Sequence, residues 1–243
     1  MAIAKFGRFQ VYGQRCSGTN ALIKLLERNL EDLEFTEEFG FKHWLVPPEV
    51  EIPEDVFVIV IARQVDQWLR SLHAKPWHAH ADLKELEFGD FIRAEWRSVW
   101  DEDFWGIDRD HPKFLQPIEE EFCPQTGLPF PNVIAMRTAK LRNWLDVALQ
   151  AQGHALVSHR ELVSRPEEVI SRLASASESK KRTEFVPVDT YKGQDSRQFV
   201  PTEYPPLRSE DAAFIRRYLN GAIESRFTSN PLASATAGLQ AMV

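Results

Sequence analysis

The apolar residues of the chain fall into three segments, each typical of a strand followed by a helix. The run VFVIVIA (56–62) is unbroken and β-branched, which predicts a strand covered on both faces. FQVYG (9–13) alternates and ends in glycine, and apolar residues then recur at helical spacing from 22 to 30. HALVSH (154–159) precedes PEEVISRLA (166–174), whose proline suits a first helical turn. Three such units predict a single three-layer α/β domain with a mainly parallel central sheet and a ligand site at the carboxyl ends of its strands.

A long insertion, about residues 76–131, separates the second unit from the third. It is rich in tryptophan at EWRSVWDEDFW (95–105) and in proline after it, which predicts a helical excursion followed by an irregular flap. Trp96 and Trp100 are four positions apart, so we expect them on one buried helical face. The domain is expected to cover residues 1–227, and residues 228–243 to form a poorly ordered tail.

Charge and composition exclude several functions. The chain has 243 residues and a net charge of -7, which argues against a broad nucleic-acid surface, so any anion site must be local. The longest apolar run is too short to span a bilayer, and no signal-peptide pattern is present, which predicts a cytoplasmic protein. Two cysteines form no disulfide framework.

Residues 13–20, GQRCSGTN, have the outline of a phosphate-binding loop. Gly13 and Gly18 are five apart, as in G-x-x-x-x-G-K-[ST], but Thr19 and Asn20 replace the lysine and the hydroxyl residue. A glycine-rich turn that opens a helix binds an oxyanion through backbone N–H groups whatever its side chains. Without the lysine, and with no aspartate after the strand 56–62, kinase chemistry with magnesium is weakly supported. A cysteine-phosphatase loop, C-x5-R, is also disfavoured because Leu22 stands at the arginine position.

The loop resembles the 5'-phosphosulfate loop of sulfotransferases that use 3'-phosphoadenosine 5'-phosphosulfate (PAPS), written P-K-S-G-T-T or R-K-G-G-T in that family. The family also has an arginine at a strand end and a serine eight residues later, which bind the 3'-phosphate, and Arg63 and Ser71 match that spacing. FKHWLVPPEV (41–50) resembles its K-T-H-L-P stretch, and Lys192-Gly193 its R-K-G loop with Tyr191 replacing the arginine. The resemblance implies a fold like that of the P-loop NTPases. It also implies that PAPS and its product, 3',5'-adenosine bisphosphate (PAP), are bound by Gly13, Gln14, Arg15, Cys16, Ser17, Gly18, Thr19, Asn20, Arg63, Ser71, Lys192 and Gly193.

The same resemblance implies a metal-free sulfuryl transfer to a small-molecule or glycan acceptor. His43 is the implied base on the acceptor, with Lys42 beside it. Cys16 occupies the position of the loop lysine, so Arg15, Lys42 or Lys192 must supply positive charge at the leaving oxygen. The alternatives are a metal-dependent kinase and a catalytically silent protein that binds PAP or another nucleotide.

Two other charged groups are interpreted as surface features. Arg137 and Lys140 share one helical face, which we expect to be solvated, and the acidic run 119–121 is expected to be solvated as well. His73, His78 and His80 are close in sequence but lack the companion ligands of a metal site.

Overall fold

Four parallel strands form the central sheet in a computed structural model, which describes residues 6–104, 106–190, 198–200, 202 and 204–228. They are β1 (Arg8–Gly13), β2 (Glu34–Phe35), β3 (Val56–Ala62) and β4 (Gly153–Ser158), in the spatial order β2-β1-β3-β4. Gly13 pairs with Ile61, and Ala62 pairs with Ser158, so the carboxyl ends of β1, β3 and β4 lie at one level. The predicted α/β fold with a parallel sheet is confirmed.

The helices follow the strands as the three β-α units require. Those of the described residues are α1 (Thr19–Asn29), α2 (Val65–Ala74), α3 (Ala81–Lys84), α4 (Phe88–Arg93), α5 (Val133–Gln150), α6 (His159–Ser164), α7 (Pro166–Ala176), α8 (Ser209–Tyr218) and α9 (Gly221–Ser225), with a 3-10 turn at Glu119–Glu121.

The sheet is covered on both faces. All seven residues of β3 are buried, and alternate ones point to opposite sides. Phe57, Ile59 and Ile61 share a core with apolar residues of α1 and α7, whereas Val58 and Val60 pack with those of α5. Because α1 and α2 leave adjacent strands and join different cores, a crevice opens between the ends of β1 and β3.

The insertion is less helical than predicted. The expectation that Trp96 and Trp100 share a helix is wrong, because α4 ends at Arg93 and extended backbone follows. The Trp96 amide donates to the Phe130 carbonyl at 2.8 Å, and this long-range pairing replaces the helical bond. Trp96 is nevertheless buried, in a core that α2, α4 and α5 share.

Two further predictions concerned membrane-spanning segments and the C-terminal tail. Among the described helices, none combines the length and the apolar character that crossing a membrane requires. The predicted tail, 228–243, lies outside the described residues except for its first residue. The limits of the domain, 1–227, stay a prediction.

Candidate anion-binding site

The loop between β1 and α1 has the backbone of an anion-binding turn. Gly18, with φ of +88°, is the N-cap of α1 and offers no capping side chain, so the first N–H groups of the helix lack an intrahelical partner. Cys16 also has a left-handed φ, +64°, which turns the chain sharply. At Gly13 a Cβ atom would lie 2.6 Å from the Ile61 carbonyl oxygen, so only glycine fits there. The loop therefore presents a positive helix terminus at the end of the sheet.

A cavity of about 910 Å³ opens in front of this loop. Its walls include residues that directly follow β1, β3 and β4, as expected for a site at the carboxyl ends of parallel strands. It brings together most of the residues that the sequence singled out: Arg15, Cys16, Gly18, Thr19, Asn20, Lys42, His43, Arg63 and Ser71.

Five predicted residues are not among the described residues that line the cavity. Gly13, Gln14 and Ser17 are buried and do not line the cavity, and the Gln14 amide is bound to Arg137 instead, at 3.2 and 3.3 Å. Lys192 and Gly193 lie outside the described residues. Any contact of Gln14 with a ligand would therefore have to come from its backbone.

Arg63 and Ser71 face the cavity from β3 and α2. Arg63 is half-buried, and its Nη1 atom makes one long contact of 3.4 Å with the Cys16 carbonyl oxygen. No carboxylate forms an ion pair with Arg63 in the described part of the chain, although Asp66 is near in sequence. Burial lowers the pKa of Arg63, and arginine stays cationic at neutral pH. Its fork is thus available to an anion.

Cys16 is a neutral thiol. Burial raises its pKa, and this outweighs the opposing effects of Ser71 and Arg63. A nucleophilic thiolate is therefore disfavoured, which agrees with the missing phosphatase arginine.

The Arg15 side chain is paired with a buried acid. Its Nη2 atom lies 2.6 Å from Glu121 Oε1, and Lys140 Nζ lies 2.5 Å from the same oxygen. Ser98 Oγ donates to the other carboxylate oxygen of Glu121. We call Arg15, Glu121 and Lys140 the buried charge cluster; each is at most 6% exposed.

The predicted solvated surface is therefore wrong for Glu121, Lys140 and Arg137. Arg137 is fully buried and pairs with Glu224 at 2.7 Å. Burial raises the pKa of Glu121, but the charges of Arg15 and Lys140 outweigh it and lower the pKa to about 2. Burial lowers the pKa of Lys140 to about 8, against the opposing charge of Glu121. The prediction failed because the side of α5 that carries Arg137 and Lys140 packs against the core and the insertion. The sequence shows only that the two cations are three positions apart.

Lys42 and His43 lie on a turn, so both side chains reach the cavity, whereas a regular strand would point them apart. Lys42 Nζ is 2.7 Å from Glu37 Oε1. His43 Nδ1 is 2.6 Å from the Gly13 carbonyl oxygen. Because a carbonyl only accepts, Nδ1 carries the proton and Nε2 keeps its lone pair. Burial, and then the charge of Arg15, lower the pKa of His43 well below 6.5.

Several cavity residues were not singled out from the sequence. His159 follows β4 directly, and its ring lies over Gly18, where an added Cβ would be 2.9 Å from His159 Cδ2. Burial, and then the charge of Arg63, lower the pKa of His159 to about 4. Its place after a strand was the signal that could have found it. Phe41, Trp77, His78, Asp103 and Arg160 also line the cavity.

Basic side chains outnumber carboxylates in the wall of the cavity, although Arg15 and Lys42 are paired with Glu121 and Glu37 behind it. Of the lining residues that the structure describes, Asp103 is the one carboxylate, whereas five side chains are basic: Arg15, Lys42, Arg63, Lys75 and Arg160. Together with the terminus of α1, this charge favours a ligand with several negative charges.

The three histidines near residue 76 do not act together. His73 Nε2 contacts the Leu86 carbonyl at 2.8 Å, and His80 accepts from the Asp82 amide at the start of α3. His78 instead groups with Asp101 and Asp103, with possible ligand atoms within 4.8 Å of one another.

Comparison of the sequence with protein-family models and with curated proteins finds no match. The resemblance to sulfotransferases thus depends on the motifs themselves.

Proposed function

We propose that the chain is a sulfotransferase that moves a sulfuryl group from PAPS to an acceptor hydroxyl or amine and releases PAP. One observation supports this most: the uncapped terminus of α1 and the Arg63–Ser71 pair face one cationic cavity. Two anion sites in one cavity suit a ligand with a phosphate at each end of a nucleoside.

These two sites support the following arrangement of the cofactor. Its 5'-phosphosulfate lies against the first N–H groups of α1, with Thr19 and Asn20 beside it. Its 3'-phosphate accepts charge-assisted hydrogen bonds from Arg63 and one from Ser71. Arg63 loses only its long contact with Cys16 when it binds, so little of the fold opposes binding.

Lys42 is the cation best able to reach the leaving oxygen. Turning Arg15 toward a ligand would break its buried 2.6 Å pair with Glu121, and Glu121 would then keep Lys140 as its partner within the buried charge cluster. The Lys42–Glu37 pair is more exposed than the buried charge cluster, with side chains 13% and 35% exposed, so exchanging Glu37 for another anion costs less. Lys42 can therefore exchange Glu37 for a phosphate oxygen and compensate for the absent lysine at Cys16.

The acceptor must lose a proton as the S–O bond forms. His43 lies at the end of β1 beside the loop and presents an unprotonated Nε2 atom, so it can accept a hydrogen bond from an acceptor hydroxyl.

A second candidate function is binding of PAP or another nucleotide without turnover. Cys16 cannot stabilise a leaving oxygen, and Arg15 is occupied by Glu121, which together favour this alternative. A magnesium-dependent kinase is less favoured, because the described wall of the cavity offers a single carboxylate, Asp103, to hold the metal.

Calorimetry of the full chain with PAP and with ATP-magnesium separates these functions. We expect PAP to bind and ATP-magnesium to bind more weakly. A preference for ATP-magnesium with no PAP binding would refute the proposal. Transfer of label from PAPS, measured as free sulfate with water and as sulfated product with a panel of sugars and phenols, then separates transferase from silent binder.

A further inference from the structure

Besides His43 and His159, a third imidazole, that of His78, lines the cavity on the side formed by the insertion. His78 contacts the Phe104 ring, with centroids 3.7 Å apart and planes at 23°. Phe104 contacts Phe41, and Phe41 contacts the His43 ring at 5.2 Å. His43 and His78 are therefore joined through two aromatic rings in the wall of one cavity.

The His78 ring is held from its Nδ1 side. Nδ1 lies 2.6 Å from Asp101 Oδ1, and that carboxylate also accepts from Lys84 Nζ and from the Asp103 amide, each at 3.3 Å. His78 has a φ of +58°, an uncommon conformation for a histidine. Backbone strain, stacking and the ion pair together give the ring one orientation.

The protonation pattern follows from the partners. A carboxylate only accepts, so Nδ1 carries the proton and Nε2 has a free lone pair. Within the described ranges, no hydrogen-bond partner occupies His78 Nε2. A carboxylate that orients an imidazole in this way prepares the opposite nitrogen to accept a proton.

The charges near His43 and near His78 have different effects on the stability of a protonated ring. Around His43, the nearby charges are Arg15, Lys42 and Lys140, and all three oppose protonation. Among the described residues, its one hydrogen-bond partner is the neutral Gly13 carbonyl.

Around His78, the carboxylates of Asp101 and Glu121 favour the imidazolium, and Arg15 opposes it. Lys84 partly offsets Asp101, and Asp103 adds a further carboxylate to the group. Burial still lowers the pKa of His78 from 6.5, so the ring is neutral at pH 7. Of the two imidazoles, His78 is the one whose surroundings stabilise the charge that a base acquires.

We infer that His78, oriented by Asp101, is the base that takes the proton of the acceptor hydroxyl, and that His43 only helps to bind that hydroxyl. This assignment rests on the proposed sulfotransferase function. The acceptor oxygen forms a bond to sulfur while its proton passes to His78 Nε2. The bond between sulfur and the bridging oxygen breaks, and its electron pair stays on the phosphate of PAP.

The test uses the full chain, PAP for binding and PAPS with water as acceptor for turnover. His78→Asn removes the base, and asparagine tolerates the left-handed backbone, so the fold is kept. Asp101→Asn removes the orienting charge and can favour the wrong tautomer. His154→Gln is the control, because His154 is exposed on β4 and does not line the cavity.

We expect both variants to bind PAP within about twofold of the wild type and to release sulfate roughly 100-fold more slowly, with no change in the control. Unchanged turnover in His78→Asn, with PAP still bound, would overturn this assignment alone. So would turnover of the wild type that chelation abolishes and Mn²⁺ restores, because His78, Asp101 and Asp103 would then hold a metal. A wild type that does not bind PAP, or binds it without any turnover of PAPS, would overturn the proposed function and this assignment together.

Discussion

Glu121→Gln removes the negative charge that lies between Arg15 and Lys140 while nearly keeping the volume of the side chain. The buried charge cluster then contains two cations without a compensating anion. The variant is expected to fold less stably, because neither cation has solvent to replace the carboxylate.

Two arguments give the magnitude. The pKa of Glu121 falls from 4.5 to about 2, and each unit corresponds to about 1.4 kcal/mol, so ionisation of this group stabilises the fold by roughly 3 kcal/mol. Breaking a buried ion pair from one side costs about 3–5 kcal/mol. For a chain of 243 residues, this loss should lower the Tm by roughly 6–20 °C.

Urea unfolding followed by tryptophan fluorescence measures the effect at pH 7. The exposed neighbour substitution Glu120→Gln is the matched control and should change stability by less than about 0.5 kcal/mol. Lys140→Met, added to Glu121→Gln, should recover part of the loss because it removes one uncompensated cation.

The pH dependence gives a second check. Since the folded pKa of Glu121 is depressed, its contribution is complete above pH 4.5 and is lost as the pH falls toward 2. The difference between wild type and variant should therefore shrink in acid. Equal stability of Glu121→Gln and Glu120→Gln at pH 7 would refute the reasoning.

Four further predictions concern the cavity. Arg63→Ala should weaken PAP binding by about 2–3 kcal/mol, roughly 30- to 150-fold, and Ser71→Ala by about 1 kcal/mol; calorimetry showing unchanged affinity would exclude this 3'-phosphate site. Gly18→Ala should lower both Tm and PAP affinity. Its Cβ would lie 2.9 Å from His159 and its φ would stay at +88°, and the resulting strain should destabilise the loop by about 1–2 kcal/mol. A variant as stable as the wild type would contradict this geometry. Turnover of PAPS should stay level from about pH 8 down to 6.5 and fall only below, because burial lowers the pKa of His43 and of His78 below 6.5 and only a neutral imidazole accepts a proton. His43→Ala should slow sulfate release by only about 10-fold, the value of one hydrogen bond, and a loss as large as that of the His78 variants would return the base to His43.

The pH expectation differs from the one that the sequence supports. An imidazole in water titrates near neutrality, so a solvated His43 acting as the base would make the turnover rate rise with pH near pH 7. Its burial against Gly13 and the charges of Arg15, Lys42 and Lys140 move the titration to lower pH. None of these neighbours except Lys42 is adjacent in the chain.

The sequence by itself determined the three β-α units and the position of the candidate site. VFVIVIA can be buried on both faces only as a central strand, and Gly18 and Gly13 occur where a turn needs left-handed backbone and close approach. The eight-residue spacing from Arg63 to Ser71 places both at the crevice, because strand end and helix geometry follow from local rules.

Tertiary structure alone decided which charged groups pair and which face the cavity. Arg15 meets Glu121 across 106 residues, and His78 meets Asp101 across 23 residues of irregular insertion. Helical and strand periodicity relates only near neighbours, so it cannot tell that α5 buries Lys140 or that the insertion returns to the loop. The periodic pattern therefore located the candidate site. Packing between distant segments decided which of its charged side chains are paired and in which direction their pKa values shift.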